Sequence, residues 1–244
     1  MIYLDYNATT PIRPEVFEAM KPFLTERWGN PSSSYGFGSK LKAEVEAARR
    51  SVAKLVNASA SEVVFTGSAT EADNTALNAA LVAQPGKRHI ITSAVEHSAV
   101  LNHCAFLETQ GVRVTRLPVG EEGLLDLAAL DAAFADDTAL VSLMWANNET
   151  GVVFPVAEIA ARCRARGVPF HCDAVQAAGK LPIDHKSTPI DYLALSAHKL
   201  GGPKGVGALN VRKGAPFVPH LHGGHQGKGR RGGTENVPAI LGWA

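Results

Sequence analysis

From about residue 60 onward, short apolar runs rich in β-branched residues alternate with segments whose apolar positions recur every three or four residues. The runs cover residues 63–66, 90–92, 112–117, 139–144, 168–171, 192–195 and 206–211. They are too short for ordinary helices, and the glycines and polar residues that bound them predict strands. Between them, Leu127, Leu130 and Phe134 share one helical stripe, as do Val156, Ile159, Ala160 and Cys163, with Gly167 placed to end that helix. Strands and helices in alternation predict an α/β fold with a mainly parallel sheet.

Two more helices precede this block. The first opens on Pro14 and turns Val16, Phe17, Met20, Phe23 and Leu24 toward a core; the second carries Leu41, Val45, Ala48, Val52 and Leu55 on one stripe. The stretch WGNPSSSYGFGS between them predicts a loop. Near the other end, Ala239, Ile240, Leu241 and Trp243 start a further helix, and the sequence stops among them. Because termini are usually polar and frayed, this reads as a fragment of a longer chain.

With 244 residues, 45% of them hydrophobic, the chain has enough apolar material for one large domain, or one domain and part of another. A net charge of +1 points to no nucleic acid and no anionic membrane. The basic run Lys228, Arg230 and Arg231 is too short to change that. No apolar run approaches the roughly 20 residues of a membrane span, and the first residues lack the basic segment of a secretory signal, so a cytoplasmic protein is expected. Cys104, Cys163 and Cys172 form no even disulfide framework, which suits a reducing compartment.

Function must therefore come from local sites, and in open α/β sheets these lie beyond the carboxyl ends of the strands. After the first run, Gly67-Ser68-Ala69-Thr70 leads into a helix and offers free amides and hydroxyls to an anion, although Ser68 or Thr70 also reads as a plain N-cap. After the fifth run comes Asp173, with Gln176 three residues on; the acid either caps the next helix or partners a protonated ring nitrogen. After the sixth stand Ser196, His198 and Lys199, followed by glycines that let backbone pass close to a ligand. A lysine between an apolar strand and a glycine loop is partly desolvated, which favours a neutral, nucleophilic amine. Anion cradle, acid and lysine together describe a site for pyridoxal 5'-phosphate, with His97 able to lie against a flat ring, although it reads equally as a capping or surface histidine. The NNETG stretch, residues 147–151, offers amides to a substrate carboxylate or a cofactor hydroxyl, and reads equally as an ordinary turn. His220, His222 and His225 lack an acid or cysteine at ligand spacing, and no metal is expected there.

The motifs YLDYNATTP, ERWGNPSS, FTGSATEADN, VEHSAVL, MWANNETG, FHCDAVQAAGK, ALSAHKLGGPKGVGAL and HGGHQGKGRRGGTENVPAI run through the chain in order. In them the sequence resembles the cysteine desulfurases of the NifS/IscS type, within the class V aminotransferase group. The resemblance implies the large domain of the fold type I pyridoxal-phosphate-dependent transferases, α/β with a mainly parallel seven-stranded sheet flanked by helices. Residues 1–14 would cross toward a small domain, residues 15–244 would form the cofactor-binding large domain, and the C-terminal small domain would be absent. It implies Lys199 as the cofactor's Schiff-base lysine, His97 stacked on the ring, Asp173 at the ring nitrogen and Gln176 at the ring hydroxyl. Ala69, Thr70, Ser196 and His198 would bind phosphate, joined by Thr234 from the second subunit of a homodimer, and Asn148 would lie beside the substrate carboxylate.

The implied reaction takes L-cysteine to L-alanine and passes sulfur, as a persulfide on an enzyme cysteine, to an iron–sulfur scaffold protein. Two departures stand out. Thr66-Gly67-Ser68 exchanges the family's usual order at the phosphate loop, with Ala69 and Thr70 in place. The family's sulfur-accepting cysteine and carboxylate-binding arginine belong to a region this sequence lacks, so weak cofactor binding and poor desulfuration are expected of the fragment. Cys104 and Cys163 read as core residues. A selenocysteine lyase, another class V aminotransferase, or a non-catalytic cofactor-binding or dimerisation module remain alternatives.

Overall fold

The computed structural model describes residues 2–224 and 226–244. Among them, the strands β1 (Val63–Thr66), β2 (His89–Ser93), β3 (Arg113–Leu117), β4 (Thr138–Ser142), β5 (Phe170–Asp173), β6 (Tyr192–Ser196) and β7 (Gly207–Val211) form one seven-stranded sheet in the order β1-β7-β6-β5-β4-β2-β3. Pairing is parallel from β3 through β6, whereas β7 runs antiparallel to both β6 and β1. The inner strands are buried on both faces, as their continuous apolar runs require. The edge strand β3 is half exposed, and its arginines are paired, Arg113 with Asp137 and Arg116 with Glu108. Such charges discourage pairing with another chain.

Helices cover both faces: α1 (Pro14–Thr25), the single turn α2 (Gly36–Ser39), α3 (Leu41–Leu55), α4 (Ala69–Val82), α5 (Ser98–Thr109), α6 (Leu127–Ala133), α7 (Val156–Ala165), the short turn α8 (Gln226–Gly229) and α9 (Val237–Trp243). One core holds Val45 and Val52 of α3, Leu130 of α6, Ile159 of α7 and Ile240 of α9. The other, on the opposite face, joins Ala76 and Leu77 of α4 to Val100 and Cys104 of α5. None of the described helices is long and apolar enough to cross a membrane.

The mainly parallel α/β sheet matches the expectation from the sequence, and several details differ. Of the five α1 residues expected inside, only Phe23 is fully buried; Phe17 and Leu24 are more than half exposed. The cause is that α1 packs along α9, with Met20 against Gly242, instead of lying on the sheet, so one side of it stays uncovered. Leu55, at the end of α3, is also exposed. Phe134 leaves the helix at its C-cap and still packs on the core, beneath the Arg166 guanidinium at 4.6 Å. Strand β5 runs on through Cys172 to Asp173, because pairing with β6 continues where the apolar run ends.

Close approach explains Gly207. A Cβ there would sit 2.6 Å from the carbonyl carbon of Ser68 and 2.8 Å from the Ala69 nitrogen, so only glycine lets β7 pass beneath the start of α4. Gly207→Ala is therefore expected to lose about 1–3 kcal/mol of stability in urea unfolding. Gly36→Ala, where a Cβ meets nothing within 4 Å, is expected to change stability by less than about 0.5 kcal/mol. Equal effects of the two substitutions would contradict this packing.

Candidate active site at the carboxyl ends of the strands

Strands β1, β5 and β6 deliver their following residues to one side of the sheet, where a cavity of about 200 Å³ is lined by Ser68, Ala69, Thr70, His97, Asn148, Asp173, Gln176, Ser196, His198 and Lys199, among others. Nine of the ten residues to which the resemblance gives a role therefore meet at one place, together with Ser68. Thr234 is the exception: it is exposed and lines a separate cavity with Gly67, Arg231 and Glu235.

At the β1 end, Ser68 caps α4 by accepting the Glu71 amide at 3.1 Å, so the N-cap alternative is realised. The first-turn amides of a helix have no acceptor within it, and the helix dipole adds positive charge at this end. Ala69 and Thr70, which supply such amides, line the cavity. Glu71 turns the other way, taking the Gly67 amide and a two-point contact from Arg231 at 2.8 and 3.0 Å. Gly67 and Ser68 thus make contacts within the protein, Ser68 at the cavity wall, and the loop's unusual order leaves the lining amides in place.

At the β5 end, Asp173 is almost fully buried, and its Oδ1 accepts the Val175 amide at 2.9 Å. Burial, reinforced by Asp73, pushes its carboxyl up to about 7, against the pull of Val175, His171 and His97. A buried acid in this condition is short of a cationic partner. Two further acids lie close by. Asp73, on α4, lines the same cavity and is pushed to about 8 by burial; its Oδ1 stands 3.2 Å from Nε2 of His171, whose Nδ1 is 2.8 Å from Ser142 Oγ. Burial pushes His171 down to about 4. Glu96, also at about 8 through burial, accepts from Ser93 Oγ and the Met144 amide.

At the β6 end, the Lys199 Nζ donates to the carbonyls of Asn7 and Ala8, the latter at 2.9 Å. Burial and then Lys180 hold its pKa below the ordinary lysine value, with Asp173 and Asp5 opposing. His198 Nδ1 is 3.1 Å from Thr9 Oγ1, and burial keeps its pKa low. His97 caps α5, its Nδ1 accepting the Ala99 amide at 3.1 Å. Gln176 donates to the Asn7 carbonyl at 2.9 Å. Asn148 is partly exposed, whereas Asn147 is buried and ties its loop to Val95, Glu149 and Thr150.

Two of the glycines after Lys199 have close packing neighbours of their own. A Cβ at Gly202 would meet Ala197 at 2.9 Å, and neither Gly202 nor Gly207 lines the 200 Å³ cavity. Cys104 and Cys163 are core residues as expected, and Cys172 is equally buried. His220 contacts the Asn78 amide, which also meets His103. His225 lies outside the described residues, and among those described no group of three or more metal-ligating side chains forms. Asp73 and Glu96 went unrecognised in the sequence. A signal existed for each: an acid within the buried alanine stripe of α4, and an acid directly before His97.

The family model for aminotransferase class-V matches residues 2–244. A cysteine desulfurase of Trichormus azollae is 57% identical over 242 residues, covering 99% of this chain and 60% of that protein. The cysteine desulfurase NifS of Azotobacter vinelandii is 50% identical over the same extent. The chain thus spans about 60% of the length of these curated relatives. Among solved structures, a NifS-like protein superposes with a TM-score of 0.95 at 42% identity, covering 99% of this chain and 67% of that one. SspA in complex with cysteine gives 0.95 at 40% identity, covering 100% and 71%. With its whole described length matched and its strand-end residues gathered in one cavity, the chain belongs to the class-V aminotransferase family.

Proposed function

We propose that this chain holds pyridoxal 5'-phosphate in the cavity at the strand ends, as the cofactor-binding part of a homodimeric cysteine desulfurase that converts L-cysteine to L-alanine and hands sulfur to an iron–sulfur scaffold protein. The observation that carries the reading is the shared cavity of Lys199, Asp173 and the first turn of α4. The relatives named cysteine desulfurase, and SspA solved with cysteine, support the substrate.

The residues fit this cofactor. Asp173, held at about 7 by burial and by Asp73, would meet the protonated ring nitrogen and become ionised beside it. Ala69 and Thr70 at the α4 N-terminus, with Ser196 and His198 opposite, would hold the phosphate. His97, fixed by its cap to Ala99, would cover the ring face, and Gln176 would reach the ring hydroxyl. Thr234 would serve the second subunit's site. When bound, the cofactor supplies an aldehyde for imine chemistry and a ring that accepts electron density from the substrate's α-carbon. The Lys199 Nζ, with its pKa lowered, is the base that moves a proton at that carbon. Asn148, at the rim, would orient the substrate carboxylate.

The sulfur-accepting thiol would lie outside this sequence. Cys104 and Cys163 are buried with thiols pushed up to about 12, and burial likewise holds the Cys172 thiol well above the ordinary value. None offers the accessible thiolate that such a step requires.

Lys199→Ala is expected to abolish the adduct fixed by borohydride after incubation with pyridoxal phosphate, with the far-ultraviolet circular dichroism unchanged. An adduct of undiminished yield in that variant would assign the anchor to another lysine. Asp173→Asn, which removes the charge and keeps the shape, is expected to weaken pyridoxal phosphate binding about 10- to 100-fold in equilibrium dialysis. Affinity within twofold of the parent chain would refute the pairing of Asp173 with the ring.

A further inference from the structure

Lys180 has no part in the function proposed above, yet it is tied to the same residues. Its Nζ donates to Gln176 Oε1 at 2.7 Å and to Asn7 Oδ1 at 3.2 Å. The other end of the Gln176 amide donates to the Asn7 carbonyl at 2.9 Å, and the Lys199 Nζ donates to that same carbonyl. Two ammonium groups therefore converge on one residue of the N-terminal segment, and both line a neighbouring cavity of about 660 Å³ with Arg13 and Glu15.

We propose that Lys180 is a positioning residue for the anchor lysine: fixed by Gln176 and Asn7, its charge disfavours the protonated form of Lys199 and keeps part of that amine neutral and nucleophilic. The same contact sets the orientation of the Gln176 amide at the cavity wall. This rests on the reading of Lys199 as the cofactor anchor.

The charges around Lys199 make the assignment specific. Asp173 from β5 and Asp5 from the N-terminal segment favour its protonated form, while burial and Lys180 oppose it. His198, next in the chain, is itself held neutral by burial, Lys199 and Lys204. Asp73 and His97 line the smaller cavity, and Arg13 and Glu15 the larger. Lys180 is the cation that shares a hydrogen-bonding residue with Lys199. A second cation beside a lysine is a recognised way of activating the amine.

The test is trace acetylation of the 244-residue chain with acetic anhydride over a pH series, reading the Lys199 peptide by mass spectrometry without added cofactor. Lys180→Gln is expected to raise the pH midpoint of Lys199 acetylation by about 0.5–1 unit, and Lys180→Arg to leave it at the parent value. Added salt is expected to raise the midpoint of the parent more than that of Lys180→Gln. An unmoved midpoint in Lys180→Gln, or a shift as large in Lys180→Arg, would overturn the proposal. Borohydride trapping of pyridoxal phosphate on the parent chain, with peptide mapping, separates the two levels. An adduct on Lys199 with an unmoved midpoint removes only the role of Lys180. An adduct elsewhere removes the anchor reading on which it rests.

Discussion

The parallel pairing of β5 with β6, in which Asp173 lies opposite Ala194, is the constraint from which the site follows. Both strands run in the same direction and end on the same side of the sheet, so an acid and a lysine far apart in sequence arrive at adjacent strand ends. The antiparallel strand β7 then returns alongside β6 and passes beneath the start of α4, where Gly207 permits the contact. A shift of one residue in the register of β5 against β6 would turn Asp173 to the opposite face of the sheet.

That placement has an electrostatic cost. Asp173, Asp73 and Glu96 are all buried and all retain their protons to higher pH than ordinary carboxyls. The unfolded chain would release those protons near pH 4, so between that value and about 7 to 8 the folded state binds more protons and loses stability as pH rises. A cation brought to Asp173 offsets part of this cost. Asp173 and Asp73 line the cavity, so part of this cost sits where a cationic ligand would relieve it. Asp73, which lines the same cavity and stands 3.2 Å from the His171 Nε2, adds to the rise at Asp173.

The fold was legible because its strands are buried on both faces and leave continuous apolar runs, while its helices leave stripes. Phe17 and Leu24 were misread because a stripe says that a helix has a partner and not how much of the stripe the partner covers. The convergence of Lys199, Asp173, His97 and the α4 amides was legible from one rule, that ligands gather at the carboxyl ends of parallel strands. Glu96 and Asp73 left only the faint signals of an acid before His97 and an acid in an alanine stripe, and Lys180 left none. A protonated buried acid and a lysine held by a glutamine differ from solvated ones only in their surroundings, which arise from contacts distant in sequence. Nor were the close contacts of Gly202 with Ala197 and of Gly207 with the Ser68–Ala69 backbone legible, since they arise only on folding.

A crystal structure of this chain grown with pyridoxal 5'-phosphate tests the central claim most directly. The account predicts continuous density from Lys199 Nζ to the cofactor, the ring nitrogen within hydrogen-bonding distance of Asp173, and the phosphate on the amides of Ala69 and Thr70. A cofactor bound elsewhere, or one in this cavity with its phosphate toward Asp173, would contradict it.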